Sequence, residues 1–246
     1  MALHLVYKEK GETPLQALER LREKEQFGKD VSLTYAGRLD PAAEGLLLIL
    51  SEKDVYRKEE FLSLSKTYEF EVLFGMTTDT LDVLGIPKLH AVPNDFVSSK
   101  VFDLLTNFVG TFEWSYPAYS SKTVNGKPLF EYAREDANVE IPIRSMTIDS
   151  LDVIGIKVVN LEDLETGILE TIESVDGDFR QRGIVESWRK MFTLYGNKHF
   201  SVVRFKAEVR SGTYIRVLAE KMAESLELPG MALSIKRTKI GSMSLS

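Results

Sequence analysis

Two stretches of the chain alternate apolar and polar residues with a period of two. Over Lys66 to Phe74, Tyr68, Phe70, Val72 and Phe74 share one face, and Thr67, Glu69 and Glu71 the other. Over Phe200 to Arg210, Val203, Phe205, Ala207 and Val209 oppose Arg204, Lys206, Glu208 and Arg210. That period marks strands buried on one side. Leu46 to Leu50 is a short unbroken apolar run after Gly45, which predicts a fully buried strand. Ile143 to Val159 has scattered strand character. Helical spacing is found elsewhere. Thr13 can cap, Pro14 suits the first helical position, and Gln16 completes a capping box. Leu15, Leu18 and Leu21 then form an apolar stripe that ends near Gly28. Phe96, Val97, Val101, Leu104, Leu105 and Phe108 predict a helix stopped by Gly110. Phe130 to Ala137 predicts a short helix, and Ile215, Leu218, Met222 and Leu226 predict one over Thr213 to Leu226.

Strands and helices are interspersed without a regular βαβ beat and without a glycine-rich phosphate loop. That order predicts an α+β fold with a central mixed, mainly antiparallel sheet flanked by helices and loops. No repeat or low-complexity linker divides the chain, so residues 1–246 are expected to form a single domain.

Charge changes the picture locally. The formal net charge is −6, from 31 Lys plus Arg against 37 Asp plus Glu. Taken whole, this argues against a bulk nucleic-acid binder. Yet seven acids lie between Asn160 and Asp178 with no Lys or Arg among them. Without that stretch, 30 acids face 31 bases. The segment 155–197 therefore reads as an acidic insertion between two strands, a solvated loop or hairpin turned away from any polyanion. The bases Arg204, Lys206, Arg210, Lys236 and Lys239 are candidate phosphate contacts. The longest strongly apolar run is far too short to span a membrane, and Met1 to Val6 shows no secretory pattern, so a cytoplasmic chain is expected.

The chemistry is narrowed by what is missing. The chain has no cysteine, which removes thiolate metal sites and cysteine nucleophiles. His4, His90 and His199 are scattered and lack metal-ligand spacing, so no metal site is expected. Carboxylates, tyrosines and arginines are left. The densest constellation is Tyr35-Ala36-Gly37-Arg38-Leu39-Asp40-Pro41, just ahead of the apolar run. Asp40 there is either an Asx turn or cap, or a fixed carboxylate nucleophile or base. Arg216, one turn inside a helix after Ser211-Gly212-Thr213-Tyr214, is either a surface arginine or the partner of a buried carboxylate. Tyr68 on an apolar strand face is either a core tyrosine or an aromatic surface for a ligand.

Taken together, these segments resemble the TruB-type tRNA pseudouridine synthases, in order and over nearly the whole chain. Lys8 to Thr13 is similar to the family's opening lysine-proline-x-glycine box. Gly37 to Gly45 resembles the catalytic aspartate loop, and Lys66-Thr67-Tyr68 the lysine-x-tyrosine box. Gly75 to Gly85, Pro117 to Ser120, Gly126 to Arg134, Gly212 to Arg216 and Leu233 to Gly241 resemble later motifs.

The resemblance implies the pseudouridine synthase fold and an isomerase that converts a uridine in the T-arm loop of tRNA, at position 55, without cofactor or metal. It implies Asp40 as nucleophile, Tyr68 as the ring stacking on the uracil, Arg216 as the partner of Asp40, and Ile235 over the pocket. It also implies active-site or RNA-contacting roles for Asp82 and Lys8. The implied partner is the tRNA T-arm stem-loop, with no membrane and a monomeric enzyme. Tyr35 stands where the family has a histidine linked to RNA docking. Arg38 resembles the arginine-leucine-aspartate box of the ribosomal RNA branches, which keeps a ribosomal RNA synthase open as an alternative. A non-catalytic tRNA-folding chaperone is the other. The family usually carries a C-terminal RNA-binding PUA domain; the chain ends five residues after Gly241, so this sequence is expected to lack it.

Overall fold

The computed structural model describes residues 3–89 and 98–244. Leu3–Lys8 (β1) and Pro14–Lys24 (α1) lead to Leu33–Ala36 (β2) and Glu44–Ser51 (β3). Lys58–Ser63 (α2) precedes Lys66–Phe74 (β4) and a small ribbon of Met76–Thr78 (β5) with Pro87–Leu89 (β6). Ser98–Asn107 (α3), Gly110–Ser115 (β7), the ribbon Thr123–Val124 (β8) with Lys127–Pro128 (β9), and Leu129–Arg134 (α4) follow. The long strand Ile143–Asn160 (β10) runs into helices Glu165–Glu173 (α5) and Gln181–Tyr195 (α6), and the chain returns as His199–Val209 (β11). Ile215–Glu224 (α7), Gly230–Ile240 (β12) and Met243–Ser244 (β13) come last.

The predicted capping box forms: the Gln16 amide donates to the Thr13 hydroxyl, and the Thr13 amide to the Gln16 side chain. Of the predicted helix around Gly110, Phe96 and Val97 lie outside the described residues, as does His90. Its later part is α3, where Val101 and Leu104 are buried. His4 packs edge-on against Phe27, and His199 is exposed.

Nine strands join one sheet in the order β1-β3-β12-β4-β11-β10-β7, with β2 on β3 and β13 on β12. The pairings are antiparallel except β3 with β12, so the sheet is mixed and mainly antiparallel, as predicted. Two strands without a readable period, β10 and β12, each carry two register shifts. A bulge moves the alternation to the other face and erases the signal.

Each face of β4 meets a different environment. Tyr68, Phe70, Val72 and Phe74 pack with Val203, Phe205 and Ala207 of β11 beneath α7 and α3. On the opposite face, Leu73, Val202 and Met231 are covered by α5 and α6 through Ile168, Ile172, Ile184, Trp188 and Phe192.

This corrects the reading of the acidic segment. Residues 155–160 belong to β10, and the helical hairpin after them is a core layer rather than a solvated loop. Its acids point outward, while apolar residues at helical spacing form a stripe that the net charge conceals. Trp188 is fully buried, and its indole donates to the Val83 carbonyl at 3.1 Å.

The strand bases are corrected too. Arg204 and Lys206 lie on the sheet face away from Tyr68, and Lys236 lies opposite Glu69 on that same face. Arg204 pairs with Glu69, and Lys157 pairs with Glu71 at 3.1 Å. Of the expected phosphate contacts, Arg204 and Arg210 thus already have acid partners, Arg210 with Asp149 at 3.0 Å.

Candidate functional site

Asp40 follows the tight turn at Gly37, whose φ of 92° belongs to the left-handed region that glycine tolerates. The Arg216 Nε donates to Asp40 Oδ2 at 2.7 Å. The other Asp40 oxygen, Oδ1, makes no hydrogen bond among the described residues. The pair is asymmetric: the Arg216 side chain is 3% exposed and that of Asp40 38%. The remaining guanidinium nitrogens donate to the Thr80 carbonyl at 2.6 Å and the Tyr119 carbonyl at 3.2 Å. One buried arginine on α7 thus ties together the aspartate loop, the turn after β5 and the segment before β8.

Asp82 completes the cluster from below. It is 5% exposed and lies 3.6 Å from Arg216. Its Oδ1 accepts from the Thr80 hydroxyl at 2.7 Å and the Leu84 amide at 3.0 Å. Burial raises its pKa, against the pull of Arg216. Burial works against the charged guanidinium as well, but Asp40 and Asp82 outweigh it and hold the Arg216 pKa above its ordinary value.

Two cavities open on either side of the Asp40 loop and share Arg38, Leu39, Asp40, Ser120 and Ser121. The first holds about 400 Å³ and is lined by Tyr68 and Ile235, with Lys66, Arg144, Tyr214 and Arg237 around them. Tyr68 (β4) and Ile235 (β12) are 8% and 7% exposed and present an apolar wall to the carboxylate. The second holds about 550 Å³ and is lined by Tyr35, Tyr119, Phe130, Arg134, Phe179 and Arg180, among others.

Arg237 lies among the bases from Lys236 to Lys239 expected to meet phosphate, but it is turned into the protein instead. It is 1% exposed, and its guanidinium donates to the carbonyls of Leu46, Arg38 and Gly37 and lies 3.4 Å from the Tyr68 hydroxyl. It holds the aspartate loop against β3 and β4. Nothing in a lysine-arginine-threonine run distinguishes an inward arginine from a surface one. Lys66 also reaches this wall, donating to the Leu62 and Leu64 carbonyls at 2.6 Å each. Burial, helped by Arg237, lowers its pKa to about 8.

The match to known proteins fits this arrangement. The family model described as TruB family pseudouridylate synthase (N terminal domain) matches residues 24–168. The chain belongs to the TruB family. It is 31% identical over 208 residues to the tRNA pseudouridine synthase B of Caldicellulosiruptor saccharolyticus, covering 84% of this chain and 57% of that protein. It is also 31% identical over 234 residues to the tRNA pseudouridine synthase B of Lactococcus lactis subsp. lactis, covering 95% of this chain and 60% of that one. The chain therefore spans about three fifths of these relatives' length. Among solved structures, it superposes on a chain of a Cbf5-Nop10-Gar1 complex with a TM-score of 0.61 at 16% identity, covering 100% of this chain and 50% of the other. That likeness is one of fold, and it agrees with the predicted pseudouridine synthase architecture.

Set against the TruB motifs, the structure brings Asp40, Tyr68 and Ile235 together around one cavity and places Tyr35 and Arg216, the partner of Asp40, in the neighbouring one. Lys8 is different. It is fully buried and donates to the carbonyls of Glu9, Glu12 and Pro41, the last at 3.4 Å. Lys8 therefore cannot touch a substrate; it ties the opening box of the family to the aspartate loop. Burial brings its pKa down to about 8. Asp82 lines the second cavity only at its floor, beneath Arg216. The TruB match ends at residue 168, inside α5, so Phe179 and Arg180 lie beyond it.

Proposed function

We propose that this protein is a tRNA pseudouridine synthase that isomerises a uridine of the T-arm loop, with Asp40 as the nucleophile. The observation that carries this reading is the part-exposed Asp40 carboxylate, held through Oδ2 by a buried arginine at the edge of a cavity that Tyr68 and Ile235 line. Such a carboxylate is fixed without being shielded from a substrate.

The target uridine leaves the RNA stack and enters the 400 Å³ cavity, where its ring lies against Tyr68 and Ile235. The Asp40 oxygen attacks the nucleoside, and the carbon–nitrogen bond from ribose to uracil breaks. The base turns, a carbon–carbon bond forms between it and the ribose, and the bond from Asp40 to the nucleoside breaks, which returns the carboxylate. A proton leaves the ring carbon and another is taken up at the freed ring nitrogen, so no atom is gained or lost. The isomerisation needs no electron carrier. Arg216 keeps the free carboxylate aimed, and Tyr214 and Lys66 line the same cavity. The family and the names of its relatives support the same reading.

The test is conversion of an unmodified T-arm stem-loop by purified protein. We expect wild-type chain to form pseudouridine, and Asp40→Asn to bind the RNA but lose conversion by at least about a thousandfold. Retained conversion in the variant would remove Asp40 as nucleophile. Binding without conversion by wild-type protein would favour the chaperone reading.

A further inference from the structure

A third cavity lies outside the proposed centre, at the last strand of the sheet. β7 pairs with β10 on one side, and its other edge is open among the described residues. We infer that this edge is a docking surface for an extended basic segment of a partner protein, which adds as a strand beside β7 and places a lysine or arginine in the cavity. The inference goes beyond the reaction proposed above and does not depend on it.

The ladder fixes which backbone groups are left over. The Tyr116 amide donates to the Pro142 carbonyl at 3.1 Å, in step with a register that sets Trp114 opposite Arg144 and Phe112 opposite Met146. Antiparallel pairs alternate, so Phe112, Trp114 and Tyr116 turn their amides and carbonyls toward β10. Thr111, Glu113 and Ser115 turn theirs outward, and all three residues are exposed. Sheet edges are commonly guarded by a proline, a bulge or a charge. β7 contains no proline, and its register with β10 runs without a shift. Its one charge is Glu113, which repels a second acidic edge and favours a basic one.

The cavity beside the edge specifies the charge of the partner. It holds about 340 Å³ and shares no lining residue with the two cavities at Asp40. Trp114, Tyr116, Pro117 and Val217 give it apolar surface, against which the stem of a lysine or arginine packs. Its charged lining is Asp79, Glu113, Glu220 and Lys221, three acids against one base. Asp79 is already paired with Arg180. Lys221 donates to Glu224 at 2.7 Å and stays 3.8 Å from Glu220. Glu113 accepts from the Ser145 hydroxyl and has no cation partner among the described residues. Burial raises the Glu220 pKa, against the pull of Lys221. Glu113 and Glu220 are therefore the acids that an incoming cation completes, and a polyanion meets repulsion here. Lys122 and Arg144 lie 5.6 and 5.9 Å from the centre of the Tyr116 ring without lining the cavity, which leaves Trp114 as the ring for the new cation. Side chains of an added strand alternate, so a residue opposite Trp114 faces the cavity and its neighbours lie beside Glu113.

The test uses the whole chain and two synthetic peptides, one alternating valine with lysine and one alternating valine with glutamate. Binding is titrated by fluorescence anisotropy of labelled peptide, and amide exchange is read residue by residue by NMR. Ser115→Pro removes one outward amide and leaves the ladder to β10 intact, and Glu113→Lys reverses the charge of the edge. We expect the lysine peptide to bind wild type at least about tenfold more tightly than the glutamate peptide. It should slow exchange at Thr111, Glu113 and Ser115, and each variant should weaken its binding about fivefold. If Ser115→Pro melts early by circular dichroism, Glu113→Lys and the exchange pattern carry the test. No binding by wild type, equal binding of the two peptides, or unchanged binding in the variants overturns the docking surface. So does protection confined to the acidic segment after Asn160, which would mark a merely electrostatic contact.

Discussion

The two faces of strand β4 carry the same kinds of residue to opposite ends. On the face away from Tyr68, Arg204 meets Glu69 and Lys157 meets Glu71, each in solvent. On the Tyr68 side, Arg216 and Arg237 are buried and are held by carbonyls as well as carboxylates. Exposed pairs exchange one set of water contacts for another and are worth little. Buried guanidiniums are costly to leave unpaired, so their partners must be in place. A cation count therefore says little about where a polyanion sits. The deciding property is whether the cation already has a partner and what lies beyond it.

The sharpest way to break this contrast is at Arg216. Arg216→Met leaves Asp82 buried without a counter-charge and frees Asp40. We expect a loss of roughly 3–5 kcal/mol in denaturant unfolding together with loss of conversion. A chain with unchanged stability would contradict the burial argument. Arg237→Gln comes next. It retains some hydrogen bonding but strands several loop carbonyls, and we expect a loss of about 2 kcal/mol and a raised KM.

Arg38 and Arg204 compare the faces directly. Arg38 is exposed between the two cavities and makes no ion pair among the described residues. Arg38→Gln should lower the salt slope of stem-loop binding by about one, whereas Arg204→Gln should leave it unchanged. The smallest effect concerns pH. Lys8 and Lys66 each have a pKa brought down to about 8 by burial. The folded chain releases these protons before the unfolded chain, whose lysines titrate near about 10.4. The unfolded state thus binds more protons across that window, so stability rises with pH from about 8 upward. Lys66→Met should flatten part of that rise in melts taken from pH 7.5 to 10.

Local rules made much of this legible in the sequence. The capping threonine, the alternation in β4 and β11 and the apolar run of β3 each report a single element's environment. The site was readable where a residue sits in an unusual local context: Asp40 before a proline, Arg216 after a glycine turn, Tyr68 among apolar alternates. It was unreadable where tertiary packing decides. Alternation puts Arg237 on the face of Ile235, but only the packed aspartate loop supplies the carbonyls that hold its guanidinium there. Lys8 belongs to a motif, yet its side chain ends on backbone carbonyls. The acids of the hairpin hid the spacing of Ile168, Ile172, Ile184, Trp188 and Phe192. Phe179 and Arg180 gave no local signal, because their neighbours come from α1, α4 and the turn after β5.

Strand β12 is the twelfth in the chain but lies in the middle of the sheet, between β3 and β4. During synthesis, β3 and β4 must wait with open edges until residues 230–240 leave the ribosome. Asp40 and Arg216 are 176 residues apart and meet only across that same gap. The Asp40–Arg216 pair is thus a contact of long sequence separation. A ribosome-bound chain stopped before Gly230 would leave the β3 and β4 edges that pair with β12 open.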